Sequence, residues 1–219
     1  MEIILPFPTR SDAGAALAGK LAEYKGTKNV LILALVRGGV VIGRALADRL
    51  KLPLFPFVVR KLGHPGHREF ALGAIAEGGA TFLDDATMQA FDVTWEDMEP
   101  IIEEEMRELE RRKKTYLIEA RPALTGKTII LTDDGAATGA SLFAAIEDLR
   151  KAGARKIIVA LPVCPPDTFE SLGKKADKVV ALATPEPFEA VGLWYSAFPQ
   201  IEDEEVMRLL SEQAKKAVQ

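Results

Sequence analysis

The sequence predicts an α/β fold: a mostly parallel sheet with helices on both faces, carrying an inserted loop and helical section. Three observations point there. Five short runs rich in Val, Ile, Leu or Phe, "NVLILALV" (29–36), "LPLFPFVVR" (52–60), "KTIILTDD" (127–134), "ARKIIVALPV" (154–163) and "ADKVVALAT" (176–184), are each bounded by turn residues. They are too short for helices and too continuously apolar for half-exposed strands, which is the pattern of strands covered on both sides. Amphipathic stretches separate them, and strand-helix-strand alternation calls for parallel strands with crossover helices. Between about 61 and 120 the alternation lapses, which marks the insertion.

Taken in order, "SDAGAALAGKLAEY" sets Leu17 and Leu21 on one face of a first helix, and the 29–36 strand leads into a second helix, "GVVIGRALADRL". After the 52–60 strand comes a Gly/His-rich loop, with short strands at "GAIAEGG" and "ATFLDD". A highly charged helix follows, with Met98, Ile101, Ile102, Met106 and Leu109 at helical spacing. Glu103/Arg107, Glu108/Arg112 and Glu110/Lys114 are Glu-first pairs four apart on it, the pattern of a solvated face. Thr94 and Asp97 offer a cap, but Pro100 would then lie inside the first turns, so the start is expected nearer Pro100. The 127–134 strand, a helix from near Ala140, two more strands and a C-terminal helix, "DEEVMRLLSEQAKKA", complete the series. The whole reads as one domain over 1–219 with a mobile loop and helical insertion at about 61–120.

The balance of 28 basic and 32 acidic residues gives a net charge of −4, so no global field draws the chain to nucleic acid or to an anionic membrane. Cys164 is the only cysteine, which excludes an internal disulfide and suits a small buried residue. The N-terminal "MEIILPFPTR" lacks the basic leader and cleavage site of a secretion signal, and no apolar run is long enough to span a bilayer, so a soluble cytoplasmic protein is expected.

The stretch with most chemistry is "LTDDGAATGAS" (131–141), in which an acidic pair ends a strand and a small-residue loop with two hydroxyls opens a helix. Backbone N–H groups of such a loop and the positive end of the helix form an anion site that phosphate commonly fills. Gly135 and Gly139 allow close approach, and Thr138 and Ser141 add hydroxyl donors. Asp133 and Asp134 repel a phosphate, so they must hold something attached to it, and the vicinal hydroxyls of a sugar are natural donors to carboxylates. A sugar phosphate satisfies both halves. A P-loop is excluded because no lysine follows Gly139, and a dinucleotide fingerprint places its acidic residue after the glycines, not before them.

This pattern resembles the PRPP loop of type I phosphoribosyltransferases. "LALVRGGVVIGRALADRL" is similar to that family's pyrophosphate loop, and "FVVRKLGHPGHREFALGAIAEGG" to its strand, Arg-Lys pair and long mobile loop, in the family's order. The resemblance runs from about 10 to about 200, is nearest to the branch described as predicted phosphoribosyltransferases, and departs in the helical section from about 85 to 120. It implies transfer of ribose 5-phosphate from PRPP to a nitrogen nucleophile, with Mg2+ as cofactor and a homodimer as the expected assembly. On that resemblance Asp133 and Asp134 serve the ribose hydroxyls and, through substrate and water, the metal. Gly135, Ala136, Ala137, Thr138, Gly139, Ala140 and Ser141 surround the 5-phosphate, and Arg37, Gly38 and Gly39 the pyrophosphate. Lys61, with Arg60, reaches the leaving group when the loop closes. A non-proline cis peptide is expected at Val36–Arg37, with Gly38 and Gly39 supplying conformational freedom around it. A PRPP- or nucleotide-sensing regulator of the same fold is the alternative.

Other residues have plainer readings. His64 and His67 lie in a Gly/Pro loop without further ligands at metal spacing, so an exposed loop position is expected for both. In "TRSDAG" a helix cap at Ser11 or Asp12 is preferred to an active-site role for Arg10. Trp194 and Tyr195 in "VGLWYSAF" are expected to pack the core from a late strand rather than to stack on a base.

Overall fold

A computed structural model describes residues 4–116 and 121–217 of the chain. The five apolar runs supply a parallel sheet: β1 (Val30–Leu35), β2 (Leu54–Phe57), β6 (Thr128–Thr132), β7 (Lys156–Val163) and β8 (Lys178–Ala183), in the order β2-β1-β6-β7-β8. Every neighbouring pair is parallel, as continuous apolar runs joined by helices require. Strand residues alternate between two cores. Ile32, Ala34, Ile130 and Ile158 face α1 (Arg10–Lys20), α2 (Gly39–Leu50) and α7 (Asp203–Ala217). Leu31, Leu33, Ile129 and Leu131 face α5 (Ala140–Lys151) and α6 (Pro166–Gly173). Among the described residues no helix is long and apolar enough to cross a membrane.

The insertion differs from its expected form. The 52–60 run divides at Val58, whose N–H donates to Glu77 Oε2 at 2.7 Å, and the chain leaves the parallel sheet there. The Gly/His-rich stretch expected as a loop before the short strand at 73–79 is itself mostly strand. β3 (Val59–His64) and β4 (His67–Ala76) form an antiparallel hairpin, and β5 (Thr81–Leu83) adds a third strand. Its glycines drew the loop reading, yet two of them serve strand pairing: a Cβ on Gly63 would meet the Arg68 carbonyl, and one on Gly73 the Phe82 carbonyl. This small sheet lies against α5. Short helix α3 (Asp85–Ala90) then leads to α4 (Trp95–Thr115).

Helix α4 starts at Trp95 and not near Pro100. The Thr94 hydroxyl accepts from Asp97 N at 3.3 Å while Asp97 Oδ2 accepts from Thr94 N at 2.9 Å, and buried Met98 and Ile101 anchor the first turns. Those contacts outweigh the one backbone bond that the proline removes. Glu108 pairs with Arg112 as expected, at 2.9 Å, but also with Arg111 at 2.7 Å, and Glu110 takes Lys113 in place of Lys114. The helix is also more than a solvated face, because Glu105 reaches Arg60 on β3 at 2.6 Å and Glu104 reaches Arg68 on β4 at 2.8 Å.

Candidate functional site

In open parallel sheets a ligand crevice lies beyond the carboxyl ends of the strands, where the strand order reverses. Here that point falls between β1 and β6, whose last pairing joins Ala34 to Thr132. Both phosphate-like motifs of the sequence leave the sheet side by side at this point. Above them is a cleft with two lobes, of about 610 and 530 Å³, which share Lys61, Glu69, Ala71, Asp133, Asp134 and Ser141.

The loop after β1 carries the expected cis peptide at Val36–Arg37. Gly38 then has helical angles, φ −59° and ψ −37°, so conformational freedom is not why it is glycine. A Cβ there would meet Asp134 Oδ2, and one on Gly39 would come within 2.9 Å of Asp133 Cα and the Thr132 carbonyl. Both glycines let the two loops touch. Arg37 lines the outer lobe and its guanidinium is held by Glu202 at 3.1 Å and Asp203 at 3.7 Å, at the start of α7.

After β6, Asp133 and Asp134 turn into the cleft. The Asp134 N–H donates to Asp133 Oδ1 at 2.9 Å. Burial is the first cause pushing both carboxyls above the usual range, and for Asp133 the charge of Asp134 is the next. Lys61 and Arg10 pull both back down. Carboxyls so placed gain from a cation or hydroxyl donors above them, which stabilise their charged form. The loop then runs through Gly135 to Gly139. Ala136 N donates to the Val163 carbonyl at 3.0 Å, and the Ala137 carbonyl accepts from the Thr168 hydroxyl at 2.6 Å, which fixes the curve from below. Gly139, at φ +78°, makes the left-handed turn that opens α5 at Ala140, where the sequence places the helix start. Gly135 has another reason to be glycine: a Cβ there would lie 2.6 Å from Val191 Cγ1. Ala136, Ala137, Thr138, Gly139, Ala140 and Ser141 line the inner lobe with it.

The hairpin forms the roof. Lys61 is exposed and borders both lobes, whereas Arg60 is engaged by Glu105 on α4. The structure thus brings the sequence-derived site residues to one cleft, with Arg60 at its outer wall and Gly39 packed behind the lining against Asp133. His64 caps the hairpin turn, its Nδ1 accepting from Gly66 N at 3.0 Å. Cys164 is buried at the end of β7, where burial pushes its thiol up to about 12.

Three residues of the site escaped the sequence reading. Thr9, not Ser11 or Asp12, caps α1, and this frees Arg10 to point inward: its Nε donates to Asp134 Oδ2 at 2.7 Å. Tyr195 follows a short 3-10 turn instead of lying in a strand, and its hydroxyl donates to the Asp134 carbonyl at 2.5 Å. Phe198 lies under the Arg10 guanidinium, 3.6 Å from ring centroid to Cζ. Their signal was weak because each contact joins positions far apart in the chain.

A family model described as the phosphoribosyl transferase domain matches residues 1–192. Two proteins of Mycobacterium tuberculosis, from strains H37Rv and CDC 1551 and each provisionally named a phosphoribosyl transferase, are 40% identical to this chain over 205 residues. The match takes in 93% of this chain and 46% of theirs, so the chain spans about half the length of these curated relatives. The crystal structure of TT1426 from Thermus thermophilus shares the fold with a TM-score of 0.77 at 38% identity, over 94% of this chain and 98% of that one.

Proposed function

The chain belongs to the phosphoribosyl transferase family, and on that premise we propose that it transfers ribose 5-phosphate from PRPP to a nitrogenous base or amine, releasing pyrophosphate. One observation carries the reading: a half-buried acidic pair and the small-residue turn into α5 stand side by side at the switch point of the sheet. The turn attracts phosphate and the carboxylates repel it, so the ligand must offer phosphate to one and hydroxyls or a cation to the other. PRPP has a 5-phosphate, two ribose hydroxyls and a diphosphate that travels with Mg2+.

In this reaction the bond from ribose C1 to the diphosphate oxygen breaks, and the diphosphate leaves with the electron pair. The acceptor nitrogen bonds to C1 and loses its proton to solvent. Positive charge develops on the ribose and is offset by Asp133 and Asp134, while negative charge on the diphosphate falls to Lys61, Arg37 and the amides of 37 to 39. Ala136 through Ser141 hold the 5-phosphate away from the reacting carbon. Asp133 and Asp134 suit Mg2+, being hard oxygen donors that border both lobes of the cleft. Among the described residues no group of three or more His, Cys, Asp or Glu is placed to hold a metal. Bound there, Mg2+ supplies neutralisation of the diphosphate charge.

Calorimetry with PRPP and Mg2+ tests the reading, with saturable binding expected for the wild type and its loss for Asp133→Asn/Asp134→Asn. No binding, or equal binding by the double variant, removes it. Pyrophosphate release measured over a panel of bases and amines identifies the acceptor, and binding without release for every acceptor would mark a PRPP- or nucleotide-sensing protein instead. The proposal includes a homodimer, which light scattering on the purified chain checks.

A further inference from the structure

Arg10 opens α1 and lines the inner lobe of the cleft, and its side chain is only 8% exposed. Three contacts fix it. Its Nε donates to Asp134 Oδ2 at 2.7 Å, its Nη1 donates to the Pro199 carbonyl at 2.8 Å, and its guanidinium lies over the Phe198 ring. The segment that supplies Phe198 and Pro199 is pinned to the chain just before α1, because Ser196 N donates to the Phe7 carbonyl at 2.8 Å and Ala197 N to the Pro8 carbonyl at 3.1 Å. The same segment reaches Asp134 a second time through the Tyr195 hydroxyl.

We propose that Arg10 is a positioning residue of the ribose site: backed by Phe198 and Pro199, it clamps the Asp134 carboxylate against Gly38 and presents it to the cleft in one orientation. The inference rests on the reading of Asp134 given above as a partner of ribose and metal. A guanidinium suits the task because it stays charged when enclosed and donates in two fixed directions, toward a carboxylate and a carbonyl. A purely structural reason is weaker, since a buried ion pair stabilises a fold no better than well-packed apolar residues of the same volume. Here the carboxylate borders both lobes of the cleft, where apolar residues would leave nothing to meet a ligand. Phe198 and Pro199 also lie beyond the 1–192 stretch matched by the family model, so the clamp joins a family motif to a part of the chain outside it.

A double-mutant cycle on the full chain tests this, with PRPP and Mg2+ titrated calorimetrically into wild type, Arg10→Gln, Arg10→Lys, Asp134→Asn and Arg10→Gln/Asp134→Asn. Arg10→Gln is expected to weaken binding by about 10- to 100-fold, the usual effect of losing a group that orients a ligand to the metal. Arg10→Lys should lose nearly as much, because a point charge cannot bridge Asp134 and Pro199. The double variant should bind no more weakly than Asp134→Asn alone, since Arg10 acts only through that carboxylate. If thermal melts show that Arg10→Gln does not fold, Arg10→Lys takes its place in the cycle. Wild-type affinity in Arg10→Lys, or losses that add in the double variant, overturns the clamp and leaves the proposed function intact. Failure of the wild type to bind PRPP overturns both.

Discussion

Gly38 shows how a position can demand glycine while its backbone is ordinary. Its angles are helical, and the constraint comes from Asp134, whose carboxylate lies where a side chain would begin, with Arg10 Nε 3.2 Å from the same point. Gly38→Ala should therefore weaken PRPP binding about tenfold or more while the protein still melts cooperatively, as calorimetry and circular dichroism will show. Asp133 leads to a second prediction. A carboxyl whose folded pKa is raised holds its proton where the unfolded chain has lost it, so its contribution to stability is present at low pH and disappears as pH rises through the folded value. Above the ordinary carboxyl range that raised value is a net cost to the fold. Asp133→Asn should raise Tm at pH 7.5 by about 2–4 °C, the shift that about 1 kcal/mol produces at this size, with a smaller gain at pH 4.5 and with PRPP affinity lost. A Tm that falls at pH 7.5 would contradict it. Cys164 is simpler: with its thiol at about 12, it should resist a thiol reagent at pH 8 in the native protein and react once unfolded. The acidic pair was legible in the sequence because adjacent carboxylates before a glycine turn are locally unusual. Arg10 was not, because its partner stands 124 positions away.

Among the elements, the hairpin is where the sequence reading was furthest from the structure. Glycine counts toward a turn in any local reading, yet at positions 63 and 73 it answers to the opposing strand, and only the pairing reveals that. The pairing also divides the expected lid in two. Residues 67–71 of β4 are exposed and residues 72–76 buried against the rest of the domain, so mobility is expected only of the outer half. Amide exchange should be fast across 64–70 and slow across 72–76, and Mg2+ with PRPP should slow the outer half as Lys61 and its neighbours settle over the diphosphate. Uniformly slow exchange that ligand leaves unchanged would remove the lid. The ion pairs from α4 to Arg60 and Arg68 give that closure an opponent: carboxylates already occupy two of the cations that border the outer lobe. Helix α4 itself was readable from its spacing, and only its first turn was misjudged, because the capping box outweighs the proline.

For the whole molecule, the parallel sheet and its switch point were legible because both depend on local signals, continuous apolar runs and the residues that end them. The seam between residues 7–10 and 194–199 was not, since nothing in "VGLWYSAF" announces a partner so distant in the chain. Trp194 and Tyr195 read as a strand, and the structure gives a 3-10 turn followed by an isolated bridge from Tyr195 to Phe7. That bridge sets an order of assembly during synthesis. All five parallel strands have left the ribosome once Ala183 has emerged. At that moment Arg10 has no carbonyl from Pro199 and Asp134 no hydroxyl from Tyr195. Synthesis from the N-terminus thus supplies every strand of the scaffold before residues 194–199, which complete the contacts of Arg10 and Asp134.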